Sequence, residues 1–284
     1  MTVINTNVNA TFAHAALATN ARAQTNAMQE LSTGKRINSA KDDAAGLAMS
    51  ETMSAQIRGL NMAVRNANDA VSLCQTADGA MIEQTNMLQR MRELAVQAAS
   101  DTTDVDSKGY LNSEFTALRL EIDRIGANTE WNAKPLLDGT FVGASGVTGQ
   151  YSFQVGANGG DQKISITIEK MTSGSGAKLA DIESSAITNG SVASAAIAAC
   201  DLALKAIAEQ RSAIGATMNQ LTYAADNLTN VSQNTTDSRS RILDTDYATA
   251  TTNLSRTQII SQAATAMLAQ ANQQPQTVLS LLKG

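Results

Sequence analysis

Apolar residues recur every three or four positions along most of this chain, and many of them are small. At the start, Ile4, Val8, Phe12 and Ala15 keep helical spacing. Near the end, Ile260, Ala264, Met267 and Ala271 do the same, followed by Val278, Leu281 and Leu282. Both stretches, residues 1–33 and 242–282, read as long helices rich in Ala, Asn, Gln and Thr. An isolated helix is marginal in water and draws most of its stability from burying an apolar face. A stripe built largely of alanine removes little apolar area from water, at roughly 25 cal/mol per Å². Such helices need partners, and identical copies of the chain are the nearest source. The pattern points to an assembly rather than a solitary enzyme.

Between the ends, residues 47–99 carry the clearest periodicity. Met53, Ile57, Leu60, Val64, Ala67, Val71 and Cys74 alternate steps of four and three, a coiled-coil-like seam. The stripe then drifts through Ala77, Met81, Leu88, Met91, Ala95 and Ala98, as expected when a 3.6-residue helix is followed for many turns. One continuous helix here would be on the order of 80 Å long. A polar turn ends at Gly109, and a further helix carries Leu111, Phe115, Leu118, Ile122 and Ile125 on one face. Gly and Ser concentrate between Gly139 and Ser191. Inside that region Tyr151–Val155 and Lys163–Ile168 alternate on either side of GANGGD, which predicts a β-hairpin with a loop longer than two residues. Helical spacing returns near Val192 and runs through Leu204, Ile207, Ile214, Met218, Leu221, Ala225 and Leu228.

The predicted fold is mainly α: a long antiparallel helical rod or bundle with a small β-hairpin insert at its distal end, and terminal helices forming a coiled-coil-like pair. The expected segments are 1–40 (first terminal helix), 41–132 (rod helices), 133–191 (hairpin and a short Gly/Ser-rich outer region), 192–237 (returning rod helix) and 238–284 (last terminal helix).

Composition narrows the function. Hydrophobic residues make up 43% of the 284 but aromatics only 3%, which suits close helix packing better than an aromatic-walled ligand pocket. A net charge of −5 disfavours nucleic acid as a partner. No apolar run approaches the ~20 residues that span a bilayer, so no membrane partner is expected. The first twenty residues lack a basic segment followed by an apolar one, which implies a cytosolic protein or export by a route that reads no cleavable signal. Catalytic equipment is sparse. His14 is the one histidine and has no second ligand at metal spacing, so it reads as structural or surface, and no cofactor is expected. Cys74 and Cys200 fall at helical apolar positions and read as small buried hydrophobes. The eleven methionines follow helical spacing and read as core filler.

The stretch LSTGKRINSAKDDAAGLAMS (31–50) breaks the helical pattern at Gly34 and resumes it after Gly46, so it reads first as a solvated linker. It also closely resembles the N-terminal signature of bacterial flagellins. MLQRMRELAVQAAS (87–100), LRLEIDRIGANTEWN (118–132), FQVGANGGDQKISI (153–166), SRSRILDTDYA (238–248) and MLAQANQQPQTVLSLL (267–282) resemble further flagellin motifs, in the family's order and spacing. Residues 171–191 carry no recognisable family sequence and are too short for the outer domains most flagellins place there, so a nearly bare outer surface is expected.

The resemblance implies a structural subunit of the flagellar filament, extracellular, and not an enzyme. It implies an inner tube built by the terminal helices, through Ile4, Val8, Phe12, Ile260, Ala264, Met267, Val278, Leu281 and Leu282. Linkers around Gly34–Gly46 and 234–241 would let the shells adjust. It further implies type III export of the unfolded chain, an export chaperone, a filament cap and hook–filament junction proteins as partners. QRMRELAVQ (89–97) matches the family segment read by the vertebrate Toll-like receptor for flagellin, with Glu114 in the matching third position. On a helical projection Arg90, Glu93 and Gln97 point away from the apolar stripe, with Gln89 beside them and Leu94 at the edge of the exposed face. The same face suits an axial contact with the next subunit. Two alternatives compete: a hook–filament junction protein, which shares flagellin-like termini, and an enzyme or carbohydrate-binding module displayed on a filament. The second needs convergent polar groups between 139 and 191, and no paired carboxylate or metal-ligand spacing occurs there.

Overall fold

The computed structural model describes residues 6–142, 148–159, 162–174, 176–183 and 185–283, with side chains described as far as residue 273. Five helices dominate it: α1 (Val8–Thr33), α2 (Ala44–Ala99), α3 (Val105–Asn128), α4 (Gly190–Leu243) and α5 (Tyr247–Lys283). Four short strands lie between α3 and α4: β1 (Glu130–Trp131), β2 (Lys134–Pro135), β3 (Gln150–Gln154) and β4 (Lys163–Thr167). The chain divides into two compact units, residues 1–55 with 233–284, and residues 56–232.

In the second unit α2 and α4 run antiparallel. Arg92 donates to Asp201 (2.7 Å), Arg211 to Asp78 (2.7 Å) and Ser232 to Asn61 (3.0 Å), which fixes the register along their length. Buried positions of α2 step through Ile57, Leu60, Ala63, Ala67, Ala70 and Cys74, close to the predicted seam. Val64 and Val71 are only half-buried, because the stripe turns through Ala63 and Ala70 instead. Helix α3 lays Phe115 and Ile122 onto α2, beside Met81, Leu88 and Met91, in one continuous core. Gln84 of α2, wholly buried, donates to the carbonyls of Ile122 (3.2 Å) and Met171 (2.9 Å). Gly126 permits that closeness: a Cβ there would meet Met171 O at 2.6 Å.

Strands β3 and β4 pair as predicted, from Gln150↔Thr167 to Gln154↔Lys163. Their position corrects the expectation of a distal hairpin. Asn66 of α2 donates to Gln154 O (3.1 Å), Gln210 of α4 donates to Thr167 O (3.0 Å), and Gly59 meets Ala157. The hairpin therefore lies along the middle of the helix pair, where Ala67, Ala70 and Ala225 leave room for Ile164 and Phe153. The segment that follows β4 packs into the core between α2 and α3, where Met171 O meets Gln84 and Gly126. Met171, Leu179, Ile182 and Ile187 are fully buried, so the Gly/Ser-rich outer region also contributes side chains to the core.

A second, tighter hairpin, β1–β2, was not foreseen. Asn132 (φ 50°) and Ala133 (φ 57°) make its two-residue turn, a left-handed pair suited to the twist of adjoining strands. Tyr151 donates to Pro135 O and stacks on Phe141 at 4.4 Å, tying the two hairpins together.

In the first unit α1 and α5 pair antiparallel. Asn7 donates to Ala271 O (2.8 Å) and Asn20 to Thr257 O (2.7 Å). Of α1 only Asn20 and Ala27 are buried. The breaks beside the pair also meet: Arg36 N donates to Leu243 O (2.7 Å), Thr245 N to Gly34 O (3.0 Å), and Lys35 bridges Asp244.

Cys74 and Cys200 are both free and fully buried. The α2–α4 register sets Cys200 level with the Arg92 region, about 18 residues or 27 Å along α2 from Cys74. That far exceeds the ~7 Å Cα separation a disulfide allows. Burial pushes both thiols up to about 11, so at pH 8 the reactive thiolate is roughly a thousandth of each. Native protein should resist alkylation at both positions, and denatured protein should label fully. A 74–200 disulfide peptide in unreduced digests would contradict the register.

Candidate assembly surfaces

Two surfaces gather the predicted site residues. The first is the α1–α5 pair. Val8 is 61% exposed, Phe12 78% and Met267 66%, with Ile260 also exposed. Phe12, Ala13 and Ala16 face Ala264, Met267 and Ala271 across a cleft of about 440 Å³. Large apolar side chains exposed on a helix pair with almost no internal core make a surface that lacks its covering. Ile4, and the side chains of Val278, Leu281 and Leu282, lie outside the described residues.

The linker residues sort differently. Gly34 ends α1 in the left-handed region (φ 69°), donating from its N–H to Glu30 O at 2.9 Å, which is the helix-ending role glycine fills. Gly46 is no linker residue: it sits in the first turn of α2. Its N–H donates to Asp43 Oδ1 (2.9 Å), the side chain that caps the helix. A Cβ there would collide with Asp43 and with the Ile37 side chain, buried at its flank. The second expected linker, 234–241, is likewise helical, inside α4; the break falls at residues 244–246. Ser238 in that stretch bonds back within the helix to Asn234 O (2.8 Å), so polar composition there did not mean a loop.

The second surface is the outer face of α2 and α3. Arg90 Nε donates to Glu114 Oε1 (3.0 Å) and its Nη1 to Glu93 Oε2 (3.1 Å). Glu114 first, then Glu93, raises the guanidinium's affinity for its proton. All three side chains are about half exposed or more, and Gln89 and Gln97 are exposed beside them. Leu94 corrects the projection. It is 1% exposed, inside the core and not on this face. A single-helix projection puts it at the edge, but α3 and α4 flank α2 here, through Arg90–Glu114 and Arg92–Asp201, and widen its buried arc beyond one stripe. His14 is exposed, and no group of three or more His, Cys, Asp or Glu side chains is placed to hold a metal among the described residues.

Residues that the sequence reading passed over hold the terminal pair. Asn20 and Thr257 are buried polar side chains at its seam, and a polar residue on an alanine face was their only signal.

Residues 4–142 match the model of the bacterial flagellin N-terminal helical region, and residues 197–282 match that of the C-terminal helical region. The chain belongs to the bacterial flagellin family. It is 45% identical to a flagellin of Halalkalibacterium halodurans over 99% of this chain and 100% of that one. It is 42% identical to a flagellin of Bacillus subtilis, covering 99% of each chain. It is 40% identical to the flagellar filament 33 kDa core protein of Treponema phagedenis, covering 99% of this chain and 100% of that one. A structure assigned as a flagellar hook-associated protein from Vibrio parahaemolyticus shares the fold at a TM-score of 0.58 and 13% identity, covering 72% of this chain and all of that one. Flagellins are structural subunits of the flagellar filament, not enzymes, and the filament is extracellular.

Two substitutions separate core from surface on α2. Leu94→Ala should destabilise the protein by about 2–5 kcal/mol, as large-to-small changes in a packed core do. Arg90→Ala removes an exposed ion pair and should leave the urea midpoint nearly unchanged. Equal midpoints for the two variants would place Leu94 outside the core.

Proposed function

We propose that this flagellin polymerises through α1 and α5, which form the inner tube of the filament, while residues 56–232 carry the surrounding shell. The observation that carries this reading is the exposure of Val8, Phe12, Ile260 and Met267 on a pair that buries almost nothing of its own. Segments that cannot bury enough apolar surface alone stay disordered until a partner covers them. This accords with a subunit exported unfolded by a type III route, escorted by a chaperone and folded beneath a cap at the growing tip, next to hook–filament junction proteins at the base.

Deleting residues 1–40 and 245–284 removes that pair and leaves the unit of residues 56–232, with its own core, intact. The truncated chain should remain helical and soluble, yet fail to elongate filament seeds. Hydrogen exchange on the full monomer should find both ends unprotected. Elongation by the truncated chain would overturn the proposal.

A second reading concerns the Arg90–Glu93–Glu114 face. A vertebrate Toll-like receptor for flagellin that reads this face would detect monomers, whereas in a filament the same face would meet the next subunit along the axis. Exposed charge already organised by ion pairs costs little to redirect toward a partner. Monomer should activate a reporter line carrying that receptor, and Arg90→Ala or Glu114→Ala should weaken the response at unchanged circular dichroism. A silent wild-type monomer, or full activity in both variants, would end this reading.

A further inference from the structure

We infer that Asn7 and Asn20 set the register of α1 against α5, and with it the surface the pair presents to other copies; the second clause rests on the polymerisation reading above. Alanine faces specify register poorly, because a slide of one turn exchanges one alanine contact for another. Polar side chains buried in a helix pair supply the missing specificity, since a wrong register leaves them without partners. Asn20 is such a residue. Asparagine is a weak helix former that favours caps and turns, yet this one sits mid-helix and buried, its Nδ2 donating 2.7 Å to Thr257 O. Asn7 acts at the other end. Its Oδ1 accepts from Ala10 N (3.0 Å) and starts α1, while its Nδ2 donates to Ala271 O (2.8 Å).

Each amide reaches main-chain oxygen because the residue it faces on α5 is small. Thr257 is itself buried, and its hydroxyl is turned back onto Asn253 O (2.9 Å) and Leu254 O (2.9 Å), clear of the asparagine. Positions 257 and 271 of α5 thus suit both asparagines together. A slip of three residues sets Leu254 and Leu268, or Ile260, opposite them; a slip of four sets Met267 or Pro275 there. Every one-turn slip puts bulk against at least one asparagine. An unpaired buried amide disfavours a register by roughly 5- to 150-fold in population. The Phe12–Met267 cleft exists only in the selected register, so these two amides also determine which groove a neighbouring copy meets.

The test uses the full-length chain carrying Ala27→Cys and Ala250→Cys, two buried small residues that this register places level with each other. Cys74 and Cys200, fully buried, stay out of the oxidation. After seeded elongation and mild oxidation, peptide mass spectrometry should find the 27–250 bridge in filaments. A parallel chain with Ala27→Cys and Leu254→Cys, displaced by one turn, should bridge poorly. Adding Asn7→Ala and Asn20→Leu should then raise the 27–254 yield at least about 5-fold and lower the 27–250 yield. Leucine keeps the volume at position 20, so the helices still pair while the polar tie is gone. Where the double variant no longer elongates seeds, the same rise is required of Asn20→Leu alone. Unchanged dominance of 27–250 without the asparagines, or its absence in filaments that keep them, overturns the inference. Failure of the polymerisation reading shows separately, as seed elongation by the truncated chain.

Discussion

Alanine at the helix seams is the constraint from which the rest of the structure follows. It lets backbones approach closely but yields little hydrophobic energy per residue, because a methyl group hides little area. In the unit of residues 56–232 that shortfall is made up in two ways. The seam is long, and at one end it is flanked by a third helix whose Phe115 and Ile122 meet Met81, Leu88 and Met91 in a core of large side chains. Farther along, where α2 and α4 present Ala67, Ala70 and Ala225, a hairpin lies in the space and contributes Ile164 and Phe153. The terminal pair has neither remedy. The same alanine that permits a thin pair of helices leaves Phe12 and Met267 uncovered, the face that the proposed polymerisation would cover.

Much of this was legible from residue spacing. Helices and the main hairpin fall where the 3.6- and 2-residue periods put them, because periodicity records a single apolar face well, whether or not the chain itself covers it. The readings that failed share a cause. Leu94 was placed from one helix and one stripe, while it belongs to a core that α2 shares with residues of α3 and α4. Val64 and Val71 looked like seam residues by their steps of four and three, yet the seam turns through the smaller Ala63 and Ala70, where close approach needs less bulk. The stretch after β4 read as part of a Gly/Ser-rich outer region, but Met171, Leu179, Ile182 and Ile187 are buried in the core. The hairpin's place along the helices could not be read from its own alternation, since burial on one face does not say against what. Its position depends on Asn66 and Gln210, exchanging hydrogen bonds across large sequence distances.

The candidate site was legible in part and for a different reason. Helical spacing marks Val8, Phe12 and Met267 as an apolar stripe, and the structure leaves them exposed. Asn20 and Thr257 could not be, because a polar residue in a helix is ordinarily solvated and carries no mark of its partner. Their role depends on register, a property of two segments more than two hundred residues apart in the chain.

The breaks in the first unit show how little sequence a joint requires. Gly34 ends α1 in a conformation that side-chain-bearing residues rarely adopt, and the chain then pairs with residues 243–245. Two main-chain hydrogen bonds, Arg36 to Leu243 and Thr245 to Gly34, satisfy backbone groups that the helix ends leave open. The Arg36 guanidinium adds a third tie to the same end, donating to Ile242 O at 2.8 Å. Each break is held by local bonds, such as Asn38 N and Ser39 N to Asp42 Oδ2, and by the backbone bonds it exchanges with the other. The two crossing points, far apart in sequence, therefore order together. A change at either one acts on both the end of α1 and the start of α5.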